Sequence, residues 1–374
     1  MSQSESALLL ARASSSQWVP ADALREALFQ VVADLARQGA TPADILRMRI
    51  FAPEPQAFHL SRRQNDLAWR EVFGGLRKAV FYAQGPVAVE ADAEITAVRE
   101  AKPVWNGMTM PELTRAYAPR LQVANMQDVF RGWNADGALA RQHAGALDLH
   151  YGRGCDEMFD FYPAARAHAP LWVFLHGGYW QACTKDQHGQ FAVGMRAHGF
   201  SVAMLDYPLC PETPLAEIVL VIRYALQSLR AQAGALGFDP TQIHLAGHSA
   251  GAHLAAMAAA DPHGPDIASV LLLSGVFDLD PLFHLPMGAI IGLKDRAQAS
   301  ALSPLFCPQP KKTRVGLALG ALETDEFKRQ SGEMAAAWGA EAPLQVENCH
   351  HFNLLEELRR PGPLLDLALR TASS

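Results

Sequence analysis

At 374 residues the chain exceeds one ordinary domain, so two folded units are the natural expectation. With 49% hydrophobic residues and a net charge of −6 it reads as a well-buried globular protein. No basic patch invites nucleic acid, and no apolar run is long enough to span a bilayer.

The five cysteines (Cys155, Cys183, Cys210, Cys307, Cys349) form no CxxC pair, which points to reduced thiols in a cytoplasmic protein. The fourteen histidines show no HExxH or comparable spacing, so neither a metal nor another cofactor is expected.

The Ser-rich start carries one apolar run, Ala7–Ala11, preceded by Glu5 and lacking a basic segment. It fits a frayed end or an edge strand, not a signal peptide. From Asp22 an amphipathic helix places Leu24, Leu28, Val31, Val32 and Leu35 on one stripe and stops at Gly39. A strand follows over Ile45–Phe51 and breaks at Pro53 and Pro55. A second helix over Ser61–Phe73 and strands at Val80–Tyr82 and Val87–Ile95 complete a small α+β unit. Charged and turn-forming residues at Arg99, Lys102, Pro103, Asn106 and Gly107 place the boundary between units 1–105 and 106–374.

The stretches GATPADILRMRIF, VFGG and RKAVFYAQGPVAVEADAEITAV resemble the C-terminal two-thirds of a Rid/YjgF (reactive-intermediate deaminase) domain over residues 23–98. Two departures stand out. The opening β-hairpin of that family has little room here. Gln84 occupies the place where active members carry a substrate-binding arginine, and neither Arg77 nor Arg99 sits there. An amide cannot hold a carboxylate as a fixed guanidinium does. The resemblance therefore implies a degenerate module for packing or assembly, and a homo-oligomer.

In the second unit Met110–Trp133 reads as a helical lead-in. Strands at Leu147–Tyr151 and Met158–Tyr162 come next, then an unbroken apolar run, Leu171–Leu175, leading into His176-Gly177-Gly178-Tyr179-Trp180. Beyond it helices (Asp186–Ala197, Leu215–Leu236, from Ala250, Glu326–Trp338) alternate with strands (Val202–Tyr207, Ile243–Ala246, Val270–Ser274, Val315–Leu319, Leu344–Glu347). That alternation predicts a mostly parallel sheet covered on both faces, an α/β-hydrolase fold. The lead-in and the Pro-rich excursion Asp278–Pro304 are its candidate lids.

The chemistry centres on Gly247-His248-Ser249-Ala250-Gly251, a G-x-S-x-G placed between a strand and a helix. That context makes Ser249 a nucleophile at the apex of a sharp elbow. Its base must lie beyond it in the chain, and His351, after the last strand, fits better than His350. For the acid, Glu323 follows strand Val315–Leu319 at the right spacing. Asp325, two residues on, fits a helix cap as well, and Asp278 is a third possibility. Gly177 and Gly178, with the N–H of Ala250, supply the oxyanion donors, while His176 and His248 read as braces. Tyr179, Trp180, Tyr207 and Phe277 are candidates to line an apolar slot for a small-molecule substrate.

HGGYW, DYPL, GHSAGAHLAAM, SGVFDLDPL, ALSPL and HHFNLLEEL, in that order, resemble the kynurenine formamidase (arylformamidase) branch of the esterase/lipase-like hydrolases over residues 108–370. The resemblance puts nucleophile, base and acid on Ser249, His351 and Glu323. Many members have aspartate at the acid position. It implies hydrolysis of N-formyl-L-kynurenine to formate and kynurenine, within tryptophan catabolism. Two alternatives stand beside it: a general carboxylesterase on small acyl or aryl esters, and a bifunctional enzyme that also deaminates an imine.

Overall fold

The structure, a computed structural model, describes residues 7–14, 27–28, 30–32, 35, 45–52, 79–84, 88–95, 103–123 and 126–373. The chain divides into two units, Met1–Gln122 with Pro281–Ile290, and Val123–Asp280 with Ile291–Ser374.

The first unit contains strands β1 (Ala7–Ser14), β2 (Ile45–Ala52), β3 (Ala79–Gln84) and β4 (Ala88–Ile95) in the order β1-β4-β2-β3. β4 runs antiparallel to β1 and β2, whereas β2 and β3 are parallel. The Ala7–Ala11 run is thus an edge strand, with Ala7 opposite Ile95. Leu28, Val31 and Leu35 lie on helical backbone and are fully buried, as their stripe predicts. Gln84 ends β3 opposite Ala52. Leu24, Arg77, Arg99 and the Ser61–Phe73 segment lie outside the described residues. Helix α1 (Met110–Ala116) starts at Thr109, whose N–H donates to Glu112 Oε2 at 2.8 Å.

The second unit is built on eight strands: β5 (Ala146–His150), β6 (Met158–Tyr162), β7 (Ala169–Leu175), β8 (Ser201–Leu205), β9 (Phe238–His248), β10 (Ser269–Leu273), β11 (Arg314–Gly320) and β12 (Leu344–Val346). Their order is β12-β11-β10-β9-β7-β8-β6-β5. From β8 to β12 all neighbours are parallel, and only β6 runs antiparallel, to both of its neighbours β8 and β5. Strands buried on both faces read as apolar runs without alternation, which is why β8 and β10 continue after an initial serine as VAML and VLLL.

Helices α2 (Met126–Arg141), α3 (Ala192–Ala197), α4 (Leu215–Leu236), α5 (Ala250–Ala259), α6 (Arg296–Ala301), α7 (Asp325–Ala337) and α8 (Pro363–Ala372) complete this unit. The expected helix over Asp186–Ala197 is shorter than its sequence suggests. Its first half forms two 3₁₀ turns, Lys185–Gln187 and Gly189–Phe191, and only Ala192–Ala197 is α-helical. At Gly189 a side chain is excluded, because a Cβ there would stand 2.2 Å from the Tyr162 hydroxyl. The candidate lid segment Asp278–Pro304 folds into the short helices Asp280–Phe283 and Pro286–Ile290 and then α6. Trp133, at the end of the other, is 4% exposed and packs edge-on against Phe130 and Phe191 as part of the core. Among the described residues no helix is long and apolar enough to cross a membrane.

Candidate active site

β9 delivers the chain to Ser249 and α5 carries it away. For the two to meet at one residue their backbones must nearly touch. A Cβ on Gly247 would stand 2.1 Å from the Gly251 carbonyl oxygen, and one on Gly251 would stand 2.0 Å from that of Leu175. Both positions therefore demand glycine. Ser249 itself has φ +55° and ψ −118°, a strained left-handed geometry for a side-chain-bearing residue. Its N–H donates to the Leu273 carbonyl at 2.8 Å, and its carbonyl accepts from Ala252 and His253, so the strain is held from both sides.

His351 lies on the loop after β12 and is 3% exposed. Its Nδ1–H donates to Glu323 Oε2 at 2.7 Å. The other carboxylate oxygen accepts from the Ser274 hydroxyl at 2.5 Å and from the Gly320 N–H at 2.8 Å. Glu323 is thus fully engaged and fixed in orientation. With Nδ1 committed as donor, Nε2 of the neutral ring carries the lone pair. Phe327 and Phe352 present edges to the imidazole, with centroids at 4.8 and 5.1 Å.

Asp325 stands exposed at the first position of α7. Asp278 is buried and accepts from the Asp280 N–H, and burial holds its carboxyl above the ordinary value. The His350 ring accepts from the N–H groups of Phe352 and Asn353, which anchors the loop that presents His351. His248 is buried and its Nε2–H donates to the His351 carbonyl at 2.8 Å. Burial first, and the adjacent His351 second, hold its pKa well below the ordinary imidazole value, so His248 stays neutral.

Gly177 abuts the elbow. A Cβ there would lie 3.1 Å from each of Ser249 Cβ, His248 Nδ1 and the His248 carbonyl oxygen. Gly178 has φ +102°, and the left-handed backbone continues at Tyr179, Trp180 and Cys183. A Cβ on Gly178 would stand 2.2 Å from the Ala182 carbonyl oxygen. Ala250 opens α5, where the first N–H groups of a helix have no partner within it. The loop after β7, the elbow, the acid and the base loop all meet at the C-terminal end of the parallel strands, where open α/β sheets place their ligands.

A protein-family model described as BD-FAE matches residues 159–269, which carry the elbow and the Gly177–Gly178 loop. The chain is 28% identical over 280 residues to a kynurenine formamidase of Salmo salar, covering 68% of this chain and 93% of that one. It is 35% identical to the carboxylesterase NlhH of Mycobacterium tuberculosis, but over 117 residues, 36% of that protein. A solved structure from Silicibacter sp. TM1040, provisionally described as a thioesterase, is 32% identical with a TM-score of 0.64 and aligns over 69% of this chain and 99% of its own length. The chain belongs to the α/β-hydrolase family.

Three of the four candidate slot aromatics of this hydrolase are interior. Trp180, Tyr207 and Phe277 are each at most 1% exposed. Trp180 packs edge-on to His253 at 4.9 Å, and Phe277 fills the space over Gly275. Tyr207 stacks on His176, with centroids 4.3 Å apart and planes 13° from parallel. Tyr179 is half-buried. Burial pushes its phenol up, and the Glu323 carboxylate adds to the shift. Ser274 escaped the sequence reading. The signal in the sequence was a serine between the apolar run Val270–Leu273 and Gly275, and the structure gives it φ +49°.

Proposed function

We propose that this hydrolase is a serine enzyme that cleaves an aryl formamide, N-formyl-L-kynurenine, to kynurenine and formate through a formyl-enzyme. The observation that carries the reading is the 2.7 Å His351–Glu323 hydrogen bond beside the strained Ser249 elbow. A serine hydroxyl needs a positioned base, and a base needs an orienting acid. The formamide specificity rests on the length of the resemblance. The formamidase of Salmo salar aligns along 93% of itself, the carboxylesterase along 36%.

In this reading His351 Nε2 takes the Ser249 proton as Oγ attacks the formyl carbon. The developing oxyanion lies toward the N–H groups of Gly177, Gly178 and Ala250. Collapse breaks the C–N bond, and His351 returns the proton to the departing aryl amine. Water, deprotonated by the same imidazole, then attacks the formyl ester and releases formate. Glu323 stabilises the imidazolium formed in each half-reaction without itself being protonated.

The test is kcat/KM on N-formyl-L-kynurenine beside 4-nitrophenyl acetate, for wild type and Ser249→Ala. The expected result is a strong preference for the formamide, and a loss of at least about 10⁴-fold on both substrates in the variant. Turnover of the ester alone removes the formamide assignment and leaves a carboxylesterase. A variant that keeps its activity removes Ser249 as nucleophile.

A further inference from the structure

Two side chains away from the reacting atoms grip the peptide units that carry the oxyanion donors. Tyr207 follows β8 and donates its hydroxyl to the His176 carbonyl at 2.7 Å. His176 donates Nδ1–H to the Gly177 carbonyl at 2.8 Å. The carbonyl of His176 and the N–H of Gly177 belong to one peptide unit. The carbonyl of Gly177 and the N–H of Gly178 belong to the next. A hydrogen bond accepted at one end of an amide draws charge toward its oxygen and makes the N–H at the other end a better donor.

We propose that Tyr207 and His176 are positioning residues that orient and polarise the Gly177 and Gly178 peptides toward the oxyanion. The inference rests on the reading of those two glycines as the oxyanion hole.

The pair is built to be rigid. The two rings stack face to face, and both are 1% exposed. Burial holds the Tyr207 phenol far above its ordinary pKa, so its O–H remains a permanent donor. The segment bearing Tyr207 is strapped on each side. The Asp206 carbonyl accepts from the Tyr151 hydroxyl at 2.8 Å, and Asp206 Oδ1 accepts from the Lys185 N–H at 2.6 Å. A brace with no bearing on catalysis would not need to address two consecutive carbonyls of a loop whose backbone is left-handed from Gly178 to Trp180.

Such polarisation strengthens as charge develops, so it belongs to the transition state more than to the bound substrate. Tyr207→Phe keeps the ring and removes the hydroxyl. The expected result on the cleaved acyl substrate is roughly a tenfold fall in kcat with KM within about twofold. Affinity for a small alkylboronic acid, which forms a tetrahedral adduct on a nucleophilic serine, should fall by a similar factor.

His176→Asn, whose amide N–H sits close to the place of Nδ1, should keep more of kcat and boronate affinity than His176→Leu. This second pair keeps the proposal exposed if Tyr207→Phe folds poorly. If kcat and boronate affinity are unchanged in Tyr207→Phe while Ser249→Ala is inactive, the positioning role is overturned and the hydrolase reading stands. If kcat falls but boronate affinity does not, Tyr207 is only a structural brace. Wild-type protein that neither turns over an acyl substrate nor binds the boronic acid overturns the oxyanion reading, and this inference with it.

Discussion

Glu323 and Asp325 are two residues apart, both acidic, and both beside a helix start, yet their surroundings give them different work. Glu323 is 4% exposed and its two oxygens are shared among His351, Ser274 and the Gly320 N–H. Asp325 faces solvent in the first turn of α7, where a carboxylate favours the helix dipole by a few tenths of a kcal/mol. Glu323→Gln should therefore lower kcat by about 10³–10⁴-fold, because an amide can present its NH₂ to Nδ1 and select the wrong imidazole tautomer. Asp325→Asn should leave kcat within about twofold of wild type. Steady-state kinetics of the two variants, with circular dichroism as a folding check, decide between them. A severe loss at Asp325 with none at Glu323 would reverse the assignment. The choice between these acids was only partly legible in the chain, because spacing after β11 locates a loop but not which carboxylate turns inward. Ser249 and His351 were easier to read, since flanking glycines and chain order constrain both.

At the scale of elements, α2, β5, β6 and the 3₁₀ turn at Lys185 are tied by charge as well as by packing. Asp160 on β6 is fully buried. It accepts from Arg141 at the end of α2 at 2.8 Å and pairs with the buried Lys185 at 3.1 Å. It also accepts the Asp148 N–H at 3.0 Å. Asp148 and Asp186 bring their carboxylates within 4.8 Å of Asp160, and Arg141 and Lys185 reach all three acids. Removing one member of a buried set leaves its partners desolvated with less compensation. Asp160→Ala should cost about 3 kcal/mol in urea unfolding of the full chain. A loss below about 1 kcal/mol would mean that solvent screens the cluster like a surface pair. None of this was visible beforehand, because Arg141, Asp148, Asp160 and Lys185 share no sequence pattern and meet only after the sheet forms. The helices and strands themselves were largely legible. Leu215–Leu236 and Met158–Tyr162 have the predicted bounds, since periodic or apolar patterning continues to a clear stop such as Gly237 at φ +76°. β9 begins earlier than its apolar run, at Phe238, because pairing with Ala169 extends the strand through a polar stretch that patterning reads as loop.

Across the larger unit as a whole, burying so much of the chain has also buried His188, His244, His248 and His253, none of them in the proposed triad. Burial pushes His188 down to about 3 and His253 to about 4. It pushes His244 down to about 4, with Arg314 adding to the shift, and His248 well below its ordinary value. In the unfolded chain all four titrate near 6.5. Below that pH the unfolded state binds more protons than the folded one, so unfolding becomes more favourable as acid is added. The stabilisation from keeping these rings neutral is complete above about pH 6.5. It is lost progressively as pH falls toward 4 for His244 and His253, and toward 3 for His188. Each proton contributes about 1.4 kcal/mol per pH unit, and four together reach on the order of 5 kcal/mol per pH unit. A domain of ordinary stability, about 5–15 kcal/mol, cannot absorb that slope for long. The urea midpoint should hold between pH 7 and 8, fall steeply below pH 6, and vanish above pH 4. His253→Gln places an amide nitrogen where Nε2 donates to the Leu302 carbonyl at 2.7 Å, and it should reduce the slope by about one proton. A midpoint that stays flat from pH 7 to pH 4.5 would show that these rings reach water before the fold opens.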